Sequence, residues 1–173
     1  EYGAIKKEGD SLFTIALCFP DLYEIGMSNT AIRILYSLLN ELDGVRCERV
    51  FAPAPDFREA LTDHSIPLFT LESRIPLSDC DLIGFSMGYE LSVTNMLACL
   101  DLGNIPLSAA QRREGDPIVI AGGPAVSNPF PFSDFLDAVF IGEAEEPLPR
   151  ITKILAQKKQ KNAGRDDLLS VLY

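Results

Sequence analysis

From residue 12 onward the chain alternates between short, wholly apolar runs and longer stretches whose apolar residues recur every three or four positions. The runs are LFTIALCF (12–19), DLIGFSM (81–87), PIVIAGG (117–123) and DAVFIGE (137–143). Such runs predict central strands covered on both faces. VRCERVFA (45–52) predicts one more strand, and its interleaved charges place it nearer a sheet edge, with Val45 and Cys47 facing inward. Between the runs lie helical patterns. Ala31, Ile34, Leu35, Leu38, Leu39 and Leu42 mark one helix face, with Ser28 or Asn29 as its N-cap and Gly44 as a left-handed stop. Asp56 and Glu59 form a capping-box-like start for a short helix over 57–63. Val93, Met96, Leu97 and Leu100 give the face of a helix over 90–102, ended by Gly103 and Pro106. The last helix begins near Glu145 with Pro147 in its first turn, and the lysines of QKKQK (157–161) suit its C-terminal dipole. SAAQRREGD (108–116) reads as a flexible surface loop.

Alternating strand and helix predict an α/β protein with about five parallel strands, right-handed crossovers and helices on both sheet faces. In such sheets ligands bind beyond the carboxyl ends of the strands, where strand order reverses. The loops there, 19–29, 52–56, 86–90, 121–128 and 142–146, hold most of the chain's unusual Gly, Pro, Ser, Asn and Tyr choices.

Composition narrows the function. The 173 residues suffice for one domain with its own core. A net charge of −10 argues against a nucleic-acid backbone as main partner. No apolar run reaches the length of a membrane span and no signal peptide is visible. The four cysteines, 18, 47, 80 and 99, form no C-x-x-C pair, so free thiols in a reduced cytoplasmic setting are expected, with no metal site. EYGAIKKEG lacks an initiator Met and RDDLLSVLY stops inside an apolar pattern, so residues 1–11 read as a leader or the edge of a piece of a larger protein.

The carboxyl-end loops offer candidates with competing readings. Gly122-Gly123 admits a ligand close to the backbone, or simply makes a tight turn before Pro124. Ser86 hydrogen-bonds a ligand, or caps the helix at 90. Glu143, Glu145 and Glu146 stand by a helix N-terminus, where the dipole alone accounts for them. No phosphate-binding G-x-G-x-x-G or G-K-S/T is present. GFSMG (84–88) matches a nucleophile elbow by letters, but its base would have to be His64, the chain's only histidine, which reads as the solvated end of a helix.

DLYEIG after the first strand, IGFS after the third, VIAGGPAVSNP after the fourth and DAVFIGEAEEPL after the fifth stand in an order that is specific. Together they resemble the cobalamin-binding-like N-terminal domain of radical S-adenosylmethionine (SAM) proteins, in wording closest to a subfamily of Fe–S oxidoreductases. The resemblance runs over roughly 12–157. It implies a three-layer flavodoxin-like fold with strand order 2-1-3-4-5 over residues 12–160, and a truncated linker over 161–173 leading to a radical SAM barrel. That barrel would be this domain's partner and would hold the [4Fe–4S] cluster and S-adenosylmethionine, leaving this piece without catalytic machinery.

In cobalamin domains with a histidine ligand the first loop reads D-x-H-x-x-G; here it is Asp21-x-Tyr23-x-x-Gly26. A neutral phenol is a poor cobalt ligand beside imidazole. The resemblance implies that Gly122 and Gly123 line a channel for the corrin's nucleotide tail between the first and third strands, with Ser86 near the lower face and Glu143 at the mouth. Asp21, Tyr23 and Gly26 would shape the loop beneath the corrin. Two readings stay open: a cobalamin domain that binds the corrin without a protein ligand, or a cofactor-free scaffold that docks on the barrel and shapes substrate access. A flavin mononucleotide domain is a third, disfavoured because PDLYEIGMSN lacks the Ser/Thr-rich phosphate loop.

Overall fold

The computed structural model describes residues 3–9 and 12–173; part of the expected leader therefore lies outside the described residues. Five strands form one all-parallel sheet in the order β2-β1-β3-β4-β5. They are β1 (Phe13–Phe19), β2 (Val45–Phe51), β3 (Leu82–Ser86), β4 (Ile118–Gly122) and β5 (Ala138–Phe140). The helices are α1 (Tyr23–Gly26), α2 (Thr30–Asn40), α3 (Pro55–Asp63), α4 (Val93–Leu102), α5 (Pro147–Gln160) and α6 (Arg165–Leu169). The fold is thus the α/β flavodoxin-like arrangement that the motif order implied.

Strand alternation sends successive side chains to opposite faces. Phe13, Ile15 and Leu17 join Leu82, Ile118 and Ile120 in a core under α2 and α5. Ala16 and Cys18 join Ile83, Phe85, Val119 and Ala121 in a second core under α4. Both faces of these strands are buried in apolar cores, which is why the strands read as unbroken apolar runs. Burial pushes the Cys18 and Cys47 thiols well above their ordinary range and Cys80 up to about 12, so these thiols stay neutral. All four cysteines are free and buried.

Several local expectations shift. Asn29 caps α2 by accepting from the Ile32 N–H at 3.1 Å. The buried stripe of α2 is Ile32, Tyr36 and Leu39, while Ile34 is 41% exposed and Ala31 is also exposed. The helix is rotated because Tyr36 turns inward, stacking beneath the Arg49 guanidinium at 4.5 Å and holding both backbone groups of Ile5 through its hydroxyl. Gly44 adopts φ +73, but α2 has already ended at Asn40, so Gly44 serves the turn into β2. Asp56 and Glu59 make no capping box: α3 starts at Pro55, and Asp56 accepts only from the neighbouring Phe57 N–H. His64 is the exposed C-cap of α3, as expected.

Two charged clusters contradict a polar-out reading. β2 is an edge strand, yet Glu48 and Arg49 are buried. The turn over 70–75 covers them: Arg49 Nε donates to Glu72 at 2.6 Å, and Glu48 accepts from the Thr70 hydroxyl and the Ser73 N–H. The supposed loop 108–116 is anchored by Arg112, whose guanidinium donates to the carbonyls of Pro106, Leu107 and Phe135 and to Asp137. Asp137 also pairs with Arg165 at 2.7 Å, which fastens α6 to the start of β5. Leu168, Leu169, Val171 and Leu172, in the stretch read as a linker, pack on the α2/α5 core.

Asp137 joins two guanidinia whose side chains are 0% and 7% exposed. Replacing it with Ala strands both charges, which costs about 3–5 kcal/mol for a broken buried pair. Urea unfolding of Asp137→Ala is expected to show a loss of that size with an unchanged denaturant slope.

Candidate functional site

Parallel strands bring all five carboxyl ends to one rim. On that rim, strand alternation aims Leu82, Gly84 and Ser86 of β3, and Ile118, Ile120 and Gly122 of β4, at α2 and α5. The last positions are small where large residues would be needed to fill the layer. A cavity of about 200 Å³ results, walled by Leu17, Leu35, Ile120, Phe140 and Leu148 and reaching Ser86 and Gly122. Glu143 and Glu145 stand at it, and among the described residues no Lys or Arg lines it.

The glycines here do different things. A Cβ on Gly84 would meet no atom closer than 3.9 Å, so its absence opens space. A Cβ on Gly122 would lie 3.5 Å from the Phe140 carbonyl, in ordinary contact. Gly123 has φ +106, and a Cβ there would stand 2.6 Å from the Met87 carbonyl oxygen. Gly123 is therefore a backbone requirement: the Met87 N–H donates to Gly122 O and the Ala125 N–H to Met87 O, locking the ends of β3 and β4 together. Ser86 caps no helix, since neither the turn at 90–92 nor α4 has a side-chain cap. Among the described residues its hydroxyl has no protein partner, which leaves it available to the cavity.

Of the sequence-derived candidates, Ser86, Gly122, Gly123 and Glu143 line this one cavity. Tyr23 does not. It packs edge-on against Phe51 at the end of β2, with ring centroids 5.4 Å apart, on the other side of β1. Gly26 is held to glycine by the same ring, because a Cβ would fall 2.3 Å from Phe51 Cε1 and 3.1 Å from Phe19 Cδ1. Asp21 supports the loop: its carboxylate accepts from the Leu22 N–H at 2.8 Å, and its carbonyl accepts from the Ala52 N–H. Asn95 of α4 donates to Pro20 O at 3.0 Å and fixes where this loop leaves β1. Gly84 and Leu35 were missed as cavity residues; glycine inside a strand pattern was the available signal. Among the described residues no cluster of His, Cys, Asp and Glu could hold a metal ion. No helix of the described chain is long and apolar enough to cross a membrane.

Residues 31–173 match the family model described as radical SAM proteins, N-terminal. The chain belongs to this family of N-terminal domains. Its membership makes it an accessory domain of a radical SAM protein, whose radical SAM domain is its partner within the parent chain. No curated protein matches the chain. Among solved structures it is similar to a Burkholderia pseudomallei protein described as related to pilus assembly, with 11% identity, a TM-score of 0.44, and coverage of 94% of this chain and 100% of that one. A likeness at that level carries nothing about function.

The two glycines make opposite predictions. Gly84→Ala should leave unfolding stability nearly unchanged, because the new methyl has room. Gly123→Ala should cost about 2 kcal/mol or more, combining an overpacked backbone contact with an unfavourable positive φ. Thermal unfolding of the two variants side by side checks both.

Proposed function

We propose that this domain is a corrinoid-binding module of a radical SAM protein, and that the rim cavity receives the base of the corrin's nucleotide tail. The supporting observation is the cavity itself: an apolar slot opened by Gly84, Ser86 and Gly122 at the carboxyl ends of β3 and β4, beside β1, where strand order reverses. Ligand pockets generally measure about 300–1,000 Å³, so a cavity of about 200 Å³ suits one flat group, with the bulk of the ligand lying on the rim. The apolar walls with Glu143 and Glu145 beside them fit an uncharged ring better than a phosphate, and disfavour flavin mononucleotide. When bound, a corrin supplies cobalt-centred chemistry. This chain's residues would bind and orient it: Ser86 by a hydrogen bond, the small residues by making room, Glu143 at the mouth.

No protein ligand to cobalt is proposed. Tyr23 lies across β1 from the cavity and His64 ends α3. The [4Fe–4S] cluster and S-adenosylmethionine are assigned to the radical SAM domain of the parent, in a reduced cytoplasmic compartment that suits four free thiols. A second reading, a scaffold that docks without cofactor, draws on the apolar rim: Ile25, Leu91, Phe130 and Ile141 are 50%, 78%, 85% and 67% exposed. Docking against the radical SAM domain would cover such residues under either reading.

Equilibrium dialysis and corrin absorption decide between them. Hydroxocobalamin should bind at or below about 100 μM, cobinamide, which lacks the nucleotide base, about tenfold more weakly, and Gly84→Leu should erase that difference. Equal binding of the two corrinoids, or binding untouched by Gly84→Leu, overturns the cavity assignment. No binding to the full-length parent leaves the scaffold reading.

A further inference from the structure

A second cavity opens at the carboxyl end of β2, independent of the corrin reading. It measures about 490 Å³ and is lined by Leu22, Tyr23, Phe51, Phe57, Phe69 and Arg74, among others. Its rings form two edge-to-face pairs: Tyr23 on Phe51 at 83°, and Phe57 on Phe69 with centroids 6.1 Å apart at 81°. Each pair satisfies its own quadrupoles, while Tyr23 and Phe57 remain 41% and 44% exposed. Both rings line this cavity of about 490 Å³.

The charges at this cavity can be sorted. Arg49 is already engaged by Glu72 and Tyr36. Glu24 sits in the first turn of α1, where an acid offsets open N–H groups. Arg74 has no such account. It is exposed, has no ion pair or hydrogen-bond partner among the described residues, and is held at φ +58. For an L-residue other than Gly, Asn or Asp this region is disfavoured by roughly 1–2 kcal/mol. The turn that imposes it is anchored from below: Glu48 accepts from the Ser73 N–H, and the Ile75 N–H donates to the Thr70 hydroxyl. A guanidinium is therefore presented beside an aromatic slot on a hydrogen-bonded turn, at a conformational cost that glycine would avoid.

We infer that this cavity binds a small planar aromatic carboxylate, its ring between the two aromatic pairs and its carboxylate on the Arg74 guanidinium. Guanidinium meets carboxylate through two parallel N–H···O bonds, and the ring faces supply the apolar contact. Such a ligand places an acid on the rim beside the β1 loop, across β1 from the first cavity.

The test is a titration of the isotope-labelled chain with 1-naphthoate, followed through the amide resonances of residues 52–57 and 69–74. Saturable shifts there with half-saturation below about 1 mM are expected, and about tenfold weaker binding of neutral 1-naphthamide. Arg74→Gly should also bind naphthoate about tenfold more weakly while melting at a higher temperature than the parent sequence, which shows that the fold is intact. Gly84→Leu should leave the titration unchanged, separating this site from the corrin cavity. Absence of saturable shifts up to that concentration, equal binding of acid and amide, or unaltered binding by Arg74→Gly overturns the proposal.

Discussion

A parallel sheet covered on both faces gives every strand residue a place in one of two cores, and the molecule depends on that constraint. Large side chains fill the layers along most of β1, β3 and β4. At the carboxyl ends, Gly84, Ser86 and Gly122 leave one layer unfilled under α2 and α5. The resulting void is lined by apolar walls yet opens at a rim of exposed loops. Close packing makes an unfilled layer costly, so its persistence at the strand-order reversal is the physical basis for reading it as a site.

The rim holds its shape through backbone contacts that tolerate no extra atom. Gly123 lies against the Met87 carbonyl and Gly26 against the Phe51 ring. Asn95 fixes the loop after β1 through the Pro20 carbonyl. At the sheet margins the work passes to buried ions: Arg49 with Glu72 at the β2 edge, and Asp137 with Arg112 and Arg165 at β5. Such pairs add little net stability over apolar packing, but breaking one is expensive, so they fix which segment lies where. They hold the 70–75 turn and α6 onto the sheet.

Membership of the radical SAM N-terminal family and the flavodoxin-like sheet agree with what the loop motifs implied. The motif residues do not all meet in one cavity. Asp21-x-Tyr23-x-x-Gly26 keeps the frame of a cobalt-ligand loop, and all three residues were grouped with Ser86 and the paired glycines. The structure divides them at β1. Tyr23 and Gly26 belong to the aromatic packing over β2, whereas Ser86, Gly122, Gly123 and Glu143 share a cavity on the other side. Likewise the charges of β2 and the 108–116 segment looked solvated, because a polar residue in a linear pattern does not reveal a partner 23 or 25 positions away.

By itself the sequence determined the parallel sheet, its strands, most of its helices and the rim on which unusual loops gather. Those follow from local periodicity and from topology rules that any such pattern obeys. Only the tertiary structure decided which loop residues meet, that α2 turns its tyrosine inward, and that Arg49, Glu48 and Arg112 are interior. These outcomes depend on side chains brought together from distant stretches, and no local pattern encodes the distance between them.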